Sequence, residues 1–179
     1  MGQYYMTAFL DTDETMYTHD YHNGLKLMEH SYVGNEYVNA VISHLIELGE
    51  CRMGHIGDYS REGFREENDY VGLYAYELAW HDEDNKHLIK PEITFDKPVF
   101  IINEDKQEYI QVLPEPPEGE ELVVSQFMLL IAKGNGLGGG DYYGPDADWI
   151  GSWAFDLLRV SDTAPEGYDF IQNNFVERW

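Results

Sequence analysis

The alternation of apolar and polar positions divides the chain into short strand-like and helix-like stretches. Residues 3–10 are dense in aromatic and apolar side chains, Asp11-Thr12-Asp13-Glu14 is turn material, and residues 15–18 have the length to pair back, so an N-terminal hairpin is expected. Asn35 stands where an N-cap belongs and Glu36 suits the positive end of a helix. Val38, Val41, Ile42, Leu45 and Ile46 then recur at helical spacing before Gly49 closes the segment. Residues 51–56 read as a short strand, and Leu73, Tyr74, Glu77, Leu78 and Trp80 give a less regular stripe for a second helix over 69–81. Residues 98–103 and 107–113 flank the polar Glu104-Asp105-Lys106 and predict another hairpin, followed by an exposed loop over 114–121 rich in proline and glutamate.

Residues 122–133 are almost continuously apolar, the pattern of a strand buried on both faces, and 150–160 are rich in Trp, Phe and Leu. These two stretches are expected to pair in the centre of the sheet, with 134–149 as the connection between them. The fold class that results is α+β: a mostly antiparallel sheet with about two helices in a single domain spanning 1–179. A chain of 179 residues buries enough surface to fold without disulfides or structural metals.

Charge changes this picture most. The chain carries 34 Asp and Glu against 11 Lys and Arg, a formal charge of −23 at pH 7. Such a field repels nucleic acid and anionic lipid and draws in basic protein surfaces. The acids are spread along the chain instead of forming a tail, so the folded body carries them. The bland reading is a solubility device. The lone Cys51 excludes an intramolecular disulfide, the start Met1-Gly2-Gln3-Tyr4-Tyr5-Met6 has no export signature, and the longest apolar run, 127–132, is too short to cross a bilayer. A cytoplasmic location without membrane attachment is expected.

Candidate chemistry is sparse. Gly134-Asn135-Gly136-Leu137-Gly138-Gly139 formally fits a dinucleotide fingerprint, but the chain continues as Gly140-Asp141-Tyr142-Tyr143-Gly144-Pro145, which is turn material with a carboxylate where a phosphate needs positive charge. The 134–143 stretch is better read as a long, glycine-dense connection with several positive-φ residues, either structural or presenting Tyr142 and Tyr143 to a partner. His19, Asp20, His22 and His30, with Asp58 or Asp141, have the donors of a metal site without its spacing, whereas His44 and His55 read as structural side chains. Neither Ser60 nor Cys51 sits in a nucleophile signature. No catalytic residue, cofactor or metal ligand is nominated. Of 14 tyrosines, Tyr21, Tyr37, Tyr59, Tyr70, Tyr76, Tyr109, Tyr142 and Tyr168 have an acidic neighbour, a pairing suited to a Lys- or Arg-rich partner. The partner-binding candidates are therefore Asp58, Tyr59, Asp69, Tyr70, Asp141, Tyr142 and Tyr143.

The Met1-Gly2-Gln3-Tyr4-Tyr5 start, Leu25-Lys26-Leu27-Met28-Glu29-His30-Ser31 running into Gly34-Asn35, Gly57-Asp58-Tyr59, and the glycine-rich run ending in Asp141-Tyr142 together resemble a family of small, uncharacterised acidic proteins encoded by bacteriophages and prophages of Gram-positive bacteria. The resemblance brings no established activity. It implies a protein inhibitor that blocks a basic, nucleic-acid-handling host defence machine, an anti-CRISPR protein against a Cas9-type nuclease being the leading expectation. A small-ligand binding or sequestering protein built on the 134–143 loop, and a metal-dependent hydrolase using the histidine cluster, are the alternatives. A homodimer is compatible with so aromatic a domain.

Overall fold

The computed structural model describes residues 3–22, 24–58, 60, 90–134 and 141–176. The N-terminal hairpin is present as β1 (Tyr5–Phe9) and β2 (Glu14–Tyr17), in register from Met6 opposite Tyr17 to Phe9 opposite Glu14. A one-turn helix α1 (Leu27–His30) precedes α2 (Glu36–Leu48). Asn35 caps α2, its Oδ1 accepting from the N–H groups of Tyr37 and Val38, and Gly49 ends it.

Strand β3 (Glu50–Gly57) leaves α2 without a loop and becomes the centre of the sheet. One side of it pairs antiparallel with β1 over Met53–Gly57. The other side is shared: β7 (Leu157–Ser161) runs antiparallel along Glu50–Arg52, and β6 (Ala132–Lys133) runs parallel at His55 and Ile56. The second hairpin, β4 (Val99–Asn103) and β5 (Glu108–Val112), joins through β7, and the two-residue β8 (Asp169–Phe170) lies parallel on β5. Among the described residues the order is β2-β1-β3-β7-β4-β5-β8, with β6 beside β3. The α+β class with a mostly antiparallel sheet is as expected, with three α-helices among the described residues. No helix among the described residues is long and apolar enough to cross a membrane.

The helical stripe of α2 (Tyr37, Val38, Val41, Ile42 and Leu45) forms one buried cluster with Phe9, Met53, Ile101, Ile110, Leu158 and Trp153. Each such large side chain contributes about 1.5–3 kcal/mol on leaving water. Trp153 has no exposed surface, and its indole N–H donates to Glu108 Oε2 at 2.7 Å.

Two expectations are overturned. Residues 122–133 are not one long strand: Ser125 accepts from the Met128 N–H and starts α3 (Gln126–Leu130), leaving only β6 extended. An apolar run buried on all sides carries no period that separates helix from strand. Nor is 150–160 a strand until Leu157. The N–H groups of Gly151 and Trp153 bond the Leu129 and Leu130 carbonyls, 2.9 Å each, satisfying acceptors that the end of α3 would otherwise leave open. The two stretches therefore meet as a helix end capped by a turn, and β6 and β7 border β3 in place of pairing with each other. The helix expected over 69–81 lies outside the described residues.

Gly151 has φ +72°, and a Cβ there would meet the Ala132 carbonyl oxygen. Gly151→Ala should therefore lower stability by more than Asn35→Ala, for which loss of the cap costs about 1 kcal/mol. Urea denaturation of both variants measures the comparison.

Candidate functional site

Several of the polar groups buried among the described residues lie around β1 and β3 and the helices beside them. His55 on β3 and Thr7 on β1 are fully buried, as are Tyr37 at the start of α2 and His30 at the end of α1. Water does not reach them, so each hydrogen must find a protein acceptor. The Tyr37 hydroxyl donates to the Met16 carbonyl at 3.0 Å. At its 2.7 Å contact with Thr7 it must therefore accept, and Thr7 Oγ1 is the donor. Thr7, its proton used, accepts from His55 Nδ1–H at 3.0 Å. His55 then turns a bare Nε2 to His30, whose Nε2–H donates at 2.8 Å. The carbonyl at one end thus assigns each proton from Tyr37 as far as Nε2 of His30, and it leaves the His55 imidazole neutral.

Burial pushes His30 down to about 4, opposed by the charge of Glu29 and the Gly24 backbone. His55 is pushed well below the ordinary histidine value by burial and then by His30 beside it. The ring of Tyr5 stacks on His55, centroids 5.0 Å apart and planes at 25°.

Through Tyr5 this buried network reaches a further buried side chain, the carboxylate of Asp141. The Tyr5 hydroxyl donates to Asp141 Oδ1 at 3.1 Å, and Gln3 Nε2 donates to Oδ2 at 2.9 Å. Burial first, then the Asp141 charge, raise the Tyr5 phenol far above its ordinary value and keep it a donor. Of the sequence candidates, Asp141 bonds the Tyr5 hydroxyl, and Asp58 and Tyr143 act on it electrostatically. Asp58 extends the β1–β3 pairing: its Oδ1 accepts from the Tyr4 N–H at 3.0 Å, and its own N–H bonds the Tyr4 carbonyl at 2.9 Å.

The adjacent tyrosines divide. Tyr142 is buried, T-shaped against Phe175 at 5.3 Å, and its hydroxyl donates to the Pro145 carbonyl while accepting from the Val176 N–H. Its ring works inside the fold, which corrects the expectation of a displayed pair. Tyr143 is 66 % exposed. Tyr59, Asp69 and Tyr70 lie outside the described residues.

The histidines weighed as metal donors, His19, His22 and His30, do not come together. His30 points inward to His55, while His19 and His22 are exposed, His19 lying edge-on to Tyr4 at 6.1 Å. Among the described residues no group of three or more His, Cys, Asp or Glu is poised to hold a metal. The buried His30–His55 pair carried no signal in the sequence, because the two rings come from elements whose packing only the fold defines. At the root of the glycine-dense loop, a side chain on Gly134 would collide with the Tyr5 hydroxyl and the Gln3 amide. The protein's own side chains fill that place.

Both histidines have folded values below the unfolded value of about 6.5. Their neutral forms therefore contribute stability that is complete above about pH 6.5 and is lost as pH falls toward 4, His30 alone accounting for about 3 kcal/mol. Urea denaturation across this window should show the wild type losing stability more steeply than His30→Gln; equal slopes would contradict the neutral pair.

No protein-family model matches the chain, and no significant match to it occurs among curated proteins or solved structures.

Proposed function

We propose that the protein is a phage-encoded acidic inhibitor that binds a basic, nucleic-acid-handling host defence protein, with a Cas9-type CRISPR nuclease as the leading target. The supporting observation is the uneven distribution of charge along the β4–β5 hairpin. At its turn, Arg52 pairs with Asp105, Arg159 with Glu104 and Lys106 with Asp156. At the opposite end, Lys97 pairs with Asp162, while Glu115, Glu118, Glu120 and Glu121 are exposed and in no ion pair among the described residues. Three cations neutralise acids at the turn end, and four glutamates outside any ion pair among the described residues stand at the other.

Guide and target channels of such nucleases are lined with Lys and Arg that hold phosphates. A rigid surface of carboxylates competes for those cations and speeds encounter at low salt. Tyr143 adds an exposed aromatic anchor beside the fixed carboxylate of Asp141. This inhibition requires occupancy alone, with no chemical step by the protein.

Binding to a purified Cas9-type nuclease, with and without guide RNA, is the direct test, with target cleavage as the functional readout. The expected results are stoichiometric inhibition, affinity that falls steeply as salt rises from about 0.05 to about 0.5 M, and a loss of about tenfold on Tyr143→Ala. If neither this nuclease nor other basic nucleic-acid-binding proteins associate at low salt, the reading is wrong.

A further inference from the structure

We propose that the cleft between the open edge of β5 and the chain at 172–175 binds an extended, lysine- or arginine-rich segment of a protein partner, which adds to β5 as a further strand. The proposal rests on the reading of the protein as a binder of basic proteins and names the part of a partner that is recognised.

The backbone pairing supplies the first observation. β8 follows β5 for two residues, with the Asp169 N–H bonding the Gln107 carbonyl and the Ile171 N–H bonding the Tyr109 carbonyl, 2.9 Å each. The next step of a parallel ladder would carry the Gln111 N–H to the Ile171 carbonyl. That oxygen accepts instead from Gln126 Nε2 at 3.1 Å, and the same amide donates to Asn173 Oδ1 at 2.8 Å. Gln126 thus draws the final stretch away from the sheet. Gln111, like Tyr109 two residues before it, directs its backbone N–H and carbonyl away from β4, and among the described residues nothing bonds them. An open edge of this kind is a template for strand addition.

The second observation is the shape and chemistry of the cleft. Its volume is about 290 Å³, with Val38, Ile42, Val112, Val124 and Phe175 among its apolar lining and the amides of Gln111, Gln126, Gln172 and Asn173 around them. Alternate side chains of an added strand would enter this space while the others turn outward. The outward ones meet the 114–121 loop, which leaves the end of β5 and carries exposed Glu115, Glu118, Glu120 and Glu121. The loop is held from both sides: Asn39 Nδ2 donates to the Pro114 carbonyl at 3.0 Å, and the Val33 N–H to the Val123 carbonyl at 2.8 Å. Its charge is therefore positioned before any partner arrives.

Charge complementarity selects the occupant. A second copy of a chain with net charge −23 would bring like charge to four glutamates, and a nucleic acid would do the same. A strand that alternates apolar with basic side chains satisfies the apolar lining, the open edge and the loop together.

The probe is an octapeptide alternating lysine and valine, with glutamate–valine and lysine–serine octapeptides as controls. The lysine–valine peptide should bind more tightly than either control and slow hydrogen exchange at the Gln111 amide by about tenfold. Reversing Glu118, Glu120 and Glu121 to lysine should weaken it by about tenfold, and Gln111→Pro, which removes the edge N–H, should abolish it. The exchange measurement uses the wild type, so misfolding of the proline variant would not rescue the idea. Absence of binding, binding that leaves Gln111 exchange unchanged, or equal binding of the glutamate–valine peptide would overturn the proposal. So would a dimer that protects Gln111 without peptide. Nuclease capture, measured in parallel, separates the two readings: capture without peptide binding at β5 removes the cleft alone, and peptide binding without capture removes the inhibitor reading alone.

Discussion

A buried polar group left without a partner costs stability, and in this protein both ring nitrogens of His55 are met by side chains from other elements, which a further element supports. Thr7 comes from β1, His30 from α1, and Tyr37, through Thr7, from α2. An unmet buried donor or acceptor costs about 1–3 kcal/mol, comparable to a large core side chain, so the arrangement constrains as much as it stabilises. A one-residue slip of β1 against β3 would turn Thr7 and Tyr5 to the opposite face and break the chain of bonds at its centre. The polar network therefore specifies strand register and helix placement, while the apolar cluster around α2, which tolerates repacking, supplies the larger share of burial.

The same constraint reaches the surface through one ring. Tyr5 is stacked on His55 and bonded to Asp141, so the carboxylate at the exit of the glycine-dense stretch is positioned by the core. Tyr142 is drawn inward to Phe175 and the Val176 N–H, and the turn this makes leaves Tyr143 facing water. Phe175 also lines the cleft beside β5, so the exposed tyrosine and that cleft are joined by one packed segment. A rigid base beneath an interaction surface reduces the ordering cost of association.

Charge is organised by the fold in a way that net charge conceals. Arg52, Lys106 and Arg159 come from separate parts of the chain and meet acids around the β4–β5 turn, where β3, β4 and β7 converge. The glutamates beyond β5 have no such partners. Exposed ion pairs contribute little stability, about 0–1 kcal/mol each. Their greater consequence is to cancel field at one end of the hairpin and leave it at the other.

The elements legible in the sequence are those whose signals are local. The Asp11–Glu14 turn, the Asn35 cap with the stripe behind it, and the polar break at 104–106 each declare themselves within a few residues, and the acidic balance is a property of composition alone. Tertiary structure decided what local pattern leaves degenerate. Residues 126–130 are helical because Ser125 caps them and the 151–153 turn receives their carbonyls, although an apolar run reads equally as strand. His30 is a donor within the core because β3 brings His55 to it, 25 positions away. Tyr142 is buried and Tyr143 exposed because the C-terminal segment returns to cover one of them. Each outcome depends on contacts distant in sequence, and those exist only once the sheet has formed.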